Sequence, residues 1–418
     1  MSWRSGRGGG SGILLATALA AVAIHWLRLW IAPPTPADLH VLLPLAAPGA
    51  TSFTDRGGTP PRWTAMTPGP GGAPTPVGSV VSSTDLAADV RGYAGPVPVL
   101  VGVDPAGTIT GVALAPNHET PVYAAKVGQG GFLQQFTGKP VTAPLVLDMD
   151  IDGVTRATVT AAAITEGVRR SARAAASGIY GLAVPEPRRQ PLPWRSLAAV
   201  GLAVVIGLAS SIVAAPALRW LSLAVSLAVL GFWQATWLSA VNLANALLWR
   251  WPAFGARPAW YLLSAVALAS AVLWRNVYCA RLCPFGALQE LLHALVPWRL
   301  AAPADDDRRA RRLRIAFLWL ATVAVFVFGI AEAAHYEPFG TAFEFQGGRL
   351  QWALLGAVLV FAAVRHRAWC RYFCPTGTCL QLLGRMKAPT SFDIERQPAE
   401  GGARREQLEG VSGRAHLP

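Results

Sequence analysis

Asp152-Gly153-Val154-Thr155-Arg156-Ala157-Thr158-Val159-Thr160 is a β-branched, extended run. It feeds directly into Ala161-Ala162-Ala163-Ile164-Thr165-Glu166-Gly167-Val168, a helix-forming run. The change of residue type predicts a helix with Thr160 at its N-terminus. Amide groups there lack intrahelical acceptors, and the helix dipole is positive, so the position favours a phosphate. The competing reading is a threonine capping an ordinary strand-to-helix turn. Leu145-Val146-Leu147-Asp148 reads as the strand leading in, and the helix as running to about Ala176. Arg169, Arg170 and Arg173 read as its solvated face.

Working outward, residues 80–185 read as a compact α+β domain. Residues 97–103 form a strand-like run, Asp104-Pro105-Ala106-Gly107 a turn, and residues 108–114 the return strand. Asn117-His118-Glu119-Thr120-Pro121 is a polar loop, and residues 131–139 a short helix closed by glycine. Residues 33 to about 80 are rich in Pro, Gly and Thr and have little to bury. Residues 39–45 and 63–66 within them read as strand pieces of the following domain.

Only 14% of the 418 residues are charged, 53% are hydrophobic, and the mean hydropathy is +0.37. Such a chain is too apolar for one soluble globule and fits a polytopic membrane protein with one extramembrane domain. The net charge of +13 does not imply nucleic acid. The arginines flank apolar spans, as the positive-inside rule expects. Six transmembrane helices are predicted, at residues 12–32, 194–216, 221–248, 259–274, 315–334 and 351–364. Arg4 and Arg7, Arg219, the basic loop Arg275 to Arg314, and Arg365-His366-Arg367 mark the inner face. The first span reads as an anchor rather than a cleaved signal. Residues 1–11 are then a cytoplasmic N-terminus and 33–190 a periplasmic domain with its Pro/Gly-rich lead-in. Residues 194–385 form a five-helix membrane domain, and 386–418 a disordered cytoplasmic tail. His335-Tyr336-Glu337-Pro338-Phe339-Gly340-Thr341 falls in an outer loop.

Five cysteines are present, none of them in residues 1–278, which argues for ligand thiols in a reducing compartment rather than a disulfide framework. Cys279-Ala280-Arg281-Leu282-Cys283-Pro284 aligns with Cys370-Arg371-Tyr372-Phe373-Cys374-Pro375. Proline after the second cysteine breaks the span and starts a new helix. Two such turns present four thiolates, Cys279, Cys283, Cys370 and Cys374. That set suits an iron–sulfur cluster, with tetrahedral zinc the second choice and buried structural cysteines the third reading. Whether the pairs share one centre stays open at this level. Cys379 aligns with Leu288 and reads as a bystander.

Asp152-x-x-Thr155-x-Ala157-Thr158-x-Thr160 resembles the covalent-flavin motif of FMN-binding domains in Na⁺-pumping and Rnf-type oxidoreductases and in NosR/NirI-type proteins. Arg156 stands where that motif commonly has glycine. The resemblance implies FMN bound through its phosphate to Thr160, and Glu119-Thr120-Pro121 matches a segment near the flavin. It also implies a flavin transferase as the modifying partner. The two Cys-x-x-x-Cys-Pro turns, with Tyr336-Glu337-Pro338-Phe339 between them, resemble the membrane half of NosR/NirI proteins and imply a 4Fe-4S cluster. Full-length NosR-type proteins add a ferredoxin module. Without one, this chain is more similar to the membrane flavoproteins encoded with reductive dehalogenases.

The function expected on this basis is electron transfer in a bacterial inner membrane. Electrons pass between a cytoplasmic donor or the quinone pool, the cysteine centre and the periplasmic FMN. The partner outside is a periplasmic reductase or its maturation proteins. The alternative class is a redox-sensing regulatory or assembly protein. The bilayer core, ~30 Å thick, leaves a long step between thiolates and flavin. His25 and His335 are weaker candidates for haem or quinone. Glu332, His335 and Glu337 form a polar cluster at the end of the fifth span.

Overall fold

The computed structural model describes residues 9–385 except 32–38, 70, 93, 120, 130, 148, 155–156, 186–191, 214, 253, 256, 275, 299, 301–305 and 329–335. Thr120, Thr155, Arg156, Glu332 and His335 lie outside the described residues, as does the 386–418 tail. Helix α1 spans Gly9–Ile31. The extramembrane unit follows, with α2 (Leu43–Ala46), α3 (Ser83–Leu86), α4 (Pro121–Gln129) and α5 (Thr158–Tyr180) around one sheet.

The sheet is an antiparallel meander of β1 (Ser52–Phe53), β2 (Arg62–Pro68), β3 (Pro74–Ser82), β4 (Val99–Val103) and β5 (Ile109–Leu114). All of β4 is buried because both faces are covered. Alternation along the strand sends Val99, Val101 and Val103 into the core shared with Ile164, Val168 and Ala172 of α5. Leu100 points the other way, onto Leu43 and Ala46 of α2. Gly102 and Gly111 make that second face possible. A Cβ on Gly102 would meet the Ala46 carbonyl oxygen at 2.0 Å, and one on Gly111 the Leu45 oxygen at 2.5 Å. Thr110 Oγ1 donates to the Ala46 carbonyl at 2.8 Å and fixes the approach.

Several expectations change here. Residues below 80 are more than a lead-in: they supply β1, β2 and most of β3, because the hairpin cores Trp63, Ala65 and Val80 are fully covered. Residues 63–66 do lie in a strand, but 40–46 are helical and pack across the sheet. Among the described residues, no strand leads into Thr160. Leu145 has φ +48, and the Asp150 carboxylate accepts from the N–H groups of Leu145 (2.9 Å) and Val146 (2.7 Å), which curls the segment into a turn. Helix α5 runs a turn past Ala176, to Tyr180, where Gly181 closes it at φ +66. The arginines of α5 are not one solvated face. Arg169 is 5% exposed, and Arg173 donates to the carbonyls of Val141 (3.1 Å) and Ala143 (2.8 Å). Arg170 stays at the surface, paired with Asp89 at 2.8 Å.

The second unit is helical: α6 (Trp194–Ile212), α7 (Pro216–Val225, continued by the π-helical Ser226–Trp233), α8 (Ala240–Leu247), α9 (Pro258–Leu273), α10 (Pro284–Leu295), α11 (Asp306–Phe328), α12 (Phe339–Glu344), α13 (Arg349–Val364), α14 (Ala368–Tyr372) and α15 (Pro375–Arg385). Among the described residues, two helices are long and apolar enough to cross a membrane, Trp194–Ile212 and Pro216–Trp233. Shorter apolar helices, Ala16–Arg28, Pro258–Leu273 and Arg349–Val364, coincide with three further expected spans.

The span expected over residues 221–248 is two helices, not one. The chain breaks after Trp233, with Ala235 at φ +43, and Ser239 caps α8 by accepting from the Asn242 N–H at 3.2 Å. Side chains satisfy the amides freed by the break. Leu238 N–H donates to the Tyr278 hydroxyl at 2.8 Å, and Ala240 N–H to Glu337 Oε2 at 2.6 Å. The segment from Tyr336 to Thr341 packs into the helical unit: Tyr336 lies against Phe317, midway along α11, and the ring of Phe339 is 4.9 Å from that of Phe285. Burying those rings and the Glu337 carboxylate together holds it there.

Candidate functional sites

At the first site, the cap residue of α5 is Ala157, which has no side-chain oxygen to offer the first-turn amides. Ala157 is buried, and its N–H donates to the Val154 carbonyl at 2.9 Å. Thr158 opens the helix, and its side chain lies outside the description. Asp152 is exposed. Its backbone is pinned by Gln135, whose Oε1 accepts from Asp152 N–H at 2.7 Å. Thr160 is 2% exposed, and its Oγ1 donates to Glu119 Oε2. Glu119 Oε1 accepts from Ala94 N–H at 2.7 Å, and Glu119 N–H donates to Asn117 Oδ1 at 3.0 Å. A Cβ on Gly92 would collide with Glu119 Oε1 at 2.7 Å, so glycine lets the carboxylate lie flat against that loop. The structure thus joins Glu119 and Thr160, far apart in the chain, beside Gly92 and Ala94.

The second site is built by the repeated cysteine turns. In each, the second cysteine caps the helix that starts at the following proline. Cys283 Sγ accepts from Gly286 N–H at 3.4 Å, and Cys374 Sγ from Gly377 N–H at 3.2 Å. All four sulfurs border a cavity of about 230 Å3, closed by Tyr278, Phe339 and Gly377 and flanked by Arg314, Arg367 and Arg371. Cys379 is not among its lining residues. Arg367, at φ +50, donates through Nη1 to the Cys279 carbonyl at 2.7 Å and through Nε to Glu290 Oε2 at 2.8 Å. Arg219 reaches the other oxygen of the same carboxylate.

The donor set fits an anionic cluster: four sulfurs, N–H groups aimed at them, and a cationic wall. Gln289, Glu290, Arg367 and Glu337 as partners of the turns were not foreseen. The signal was present for Gln289 and Glu290, which follow the first Cys-Pro by two helical turns or less. His25 belongs to neither site; its Nδ1 pairs with the Phe326 carbonyl at 3.1 Å, between α1 and α11.

Comparison with known proteins agrees with this division. The FMN-binding domain family matches residues 92–173, and a 4Fe-4S binding domain family matches residues 256–303 and 352–391. Each match encloses one of the two sites. The regulatory protein NosR of Pseudomonas aeruginosa is 34% identical over 194 residues, 43% of this chain and 27% of NosR. Over these residues the chain is similar to NosR- and NirI-type proteins. Protein NirI of Paracoccus denitrificans is 34% identical over 195 residues, 43% of this chain and 28% of NirI. One component of the Na(+)-translocating ferredoxin:NAD(+) oxidoreductase complex of Acetobacterium woodii is 37% identical over 102 residues, 22% of this chain and 49% of that component. The chain thus spans only about a quarter to a half of the length of these relatives.

Proposed function

We propose that this chain is a six-span inner-membrane electron-transfer flavoprotein. FMN is esterified to Thr160 on the periplasmic side, and Cys279, Cys283, Cys370 and Cys374 hold a 4Fe-4S cluster. When bound, the two groups supply one- and two-electron exchange. The protein positions them, shields them from water and sets their potentials. Electrons enter from a cytoplasmic donor or quinone and leave to a periplasmic reductase or its maturation proteins. The observation that carries this reading is the pairing, in one chain, of a Thr160–Glu119 site inside an FMN-binding domain with four thiols around one cavity.

The test is to produce the protein with a flavin transferase and run it on a denaturing gel. Flavin fluorescence co-migrates with the wild type and disappears in Thr160→Ala. Persistence in that variant moves the attachment to Thr158 or refutes it. Iron and acid-labile sulfide should be present in the wild type and lost in Cys→Ser variants; zinc without sulfide would sink the cluster.

A second reading, redox-sensing regulation, is favoured by one observation: two of the relatives carry the name regulatory protein. Signalling that survives Thr160→Ala would support it against electron supply.

A further inference from the structure

The two cysteine turns are related as repeats, but their surroundings are not. Cys370 in the second turn corresponds to Cys279 in the first, and Leu380 corresponds to Gln289. Gln289 is fully buried on α10, two helical turns from the cysteine it follows and directly over the other turn. Its three contacts fix the amide without ambiguity. Trp369 N–H can only donate, and it meets one end of the amide at 2.9 Å, so that end is Oε1. The NH2 group is then the end facing Cys370 Sγ at 3.3 Å and the Phe285 carbonyl at 3.1 Å. Cys370 therefore receives a side-chain N–H. Leu380, at the equivalent position, has nothing to donate to Cys279.

We propose that Gln289 is the positioning residue that sets the reduction potential of the cysteine-ligated centre, by making its Cys370 corner the better stabilised one. This inference rests on the cluster reading above. An N–H aimed at a ligand sulfur stabilises the more negative, reduced form and raises the potential. The site is buried and low in dielectric, which strengthens each such donor. Two of the donors, Gly286 N–H and Gly377 N–H, are backbone groups and common to both repeats. Gln289 is a side-chain donor that a substitution can remove, and Leu380 cannot match it; at the first turn the neighbouring side-chain amide is that of Asn276, whose Oδ1 accepts from the Cys279 N–H at 3.0 Å. Arg367 also borders the cavity, but its guanidinium donates to the Cys279 and Ala280 carbonyls and to Glu290, so it does not single out Cys370.

The experiment is a redox titration of the intact, detergent-solubilised protein with dithionite, followed by electron paramagnetic resonance, with iron and sulfide measured on the same samples. Gln289→Leu, which makes the two repeats alike, should keep its iron and sulfide. Its one-electron reduction constant should fall several-fold to about tenfold, up to ~59 mV. Leu380→Gln should shift the potential upward by supplying the missing donor at Cys279, and it tests the idea even if Gln289→Leu loses its iron. Unchanged potentials in iron-replete Gln289→Leu, or in Leu380→Gln when Gln289→Leu is iron-free, would overturn the role of Gln289 alone. A wild type without iron and sulfide would overturn the cluster and this role together.

Discussion

Single residues divide into those that meet solvent and those that hold the sites. Asp89 and Arg170 are of the first kind. The Arg170 guanidinium, hydrogen-bonded to Asp89, holds that carboxyl below its ordinary range, although burial pulls slightly the other way. Its contribution is thus present above the ordinary aspartate value and lost as pH falls through the lowered folded value. The pair is exposed and worth at most about 1 kcal/mol. Asp89→Asn should remove this loss on the acid side, read as hydrogen-exchange protection of α5 amides corrected for intrinsic pH dependence. Glu119 is of the second kind. Glu119→Gln keeps the shape but presents a neutral group to Thr160 Oγ1 and Ala94 N–H. About 1–2 kcal/mol of domain stability should go, because bonds to a charged partner exceed those to a neutral one. Flavin incorporation measured on the same samples shows whether the carboxylate also matters for esterification.

At the scale of elements, helices approach the sites where side chains are smallest. On α6, a Cβ at Gly207 would lie 2.5 Å from Leu282 Cδ2, in the π-helical turn that ends at Cys283. Gly207→Leu should push that turn out of place and lower iron content to well under half of wild type. Gly201→Leu, whose Cβ meets Leu262 at 4.0 Å, should retain iron and serves as the control. The other end of the chain shows the same logic with a polar latch. Tyr180, the last residue of α5, donates to Ser79 Oγ at 3.0 Å, and Val103 O lies 3.2 Å from the same hydroxyl. Tyr180→Phe should cost about 1 kcal/mol and loosen the C-terminal amides of α5 before those near Thr160. The Cys-Pro turns and the β4–β5 hairpin were legible in the sequence because their signals are local: proline fixes where a helix starts, and Asp104 with Gly107 closes a turn. The missing strand before Thr160 was not legible. Leu145–Asp148 has the composition of a strand, but the Asp150 carboxylate takes its amides first.

Across the whole molecule, the break in the third expected span leaves a short helix, α8, whose N-terminal approach lines the thiol cavity. Helix α8 has 8 residues, ~12 Å at 1.5 Å per residue. Its N-terminal end meets the thiol cavity through Leu238 and, by way of Ala240 N–H, Glu337. The loop after its C-terminal end meets the FMN-binding domain, where a Cβ on Gly95 would lie 3.8 Å from Arg250 Cβ. Gly95 adjoins Ala94, the donor to Glu119, which in turn holds Thr160. Contacts of α8 and its flanking segments therefore reach from the thiol cavity toward the Thr160–Glu119 pair. Glu337 closes its inner end, since Thr376 Oγ1 beside the second turn reaches Glu337 Oε1 at 3.5 Å. Glu337→Ala leaves a buried N–H bare and should cost about 1–3 kcal/mol. The expected readouts are a lower melting temperature in detergent and slower flavin reduction in rapid mixing, with iron and flavin content retained.

The sequence by itself determined what depends on neighbours in the chain: the helix beginning near Thr160, the two Cys-Pro caps and the hairpin of β4 and β5. Tertiary structure decided which groups meet. Glu119 and Thr160 are 41 residues apart, Gln289 and Cys370 are 81, and Ala240 and Glu337 are 97. Periodicity and composition report which face of an element is buried. They do not report which polar group on another element waits there, because that depends on the packing of several helices at once. In this chain the helix caps could be read residue by residue, while the partners of the thiols and of Thr160 appeared only once the chain had turned back on itself.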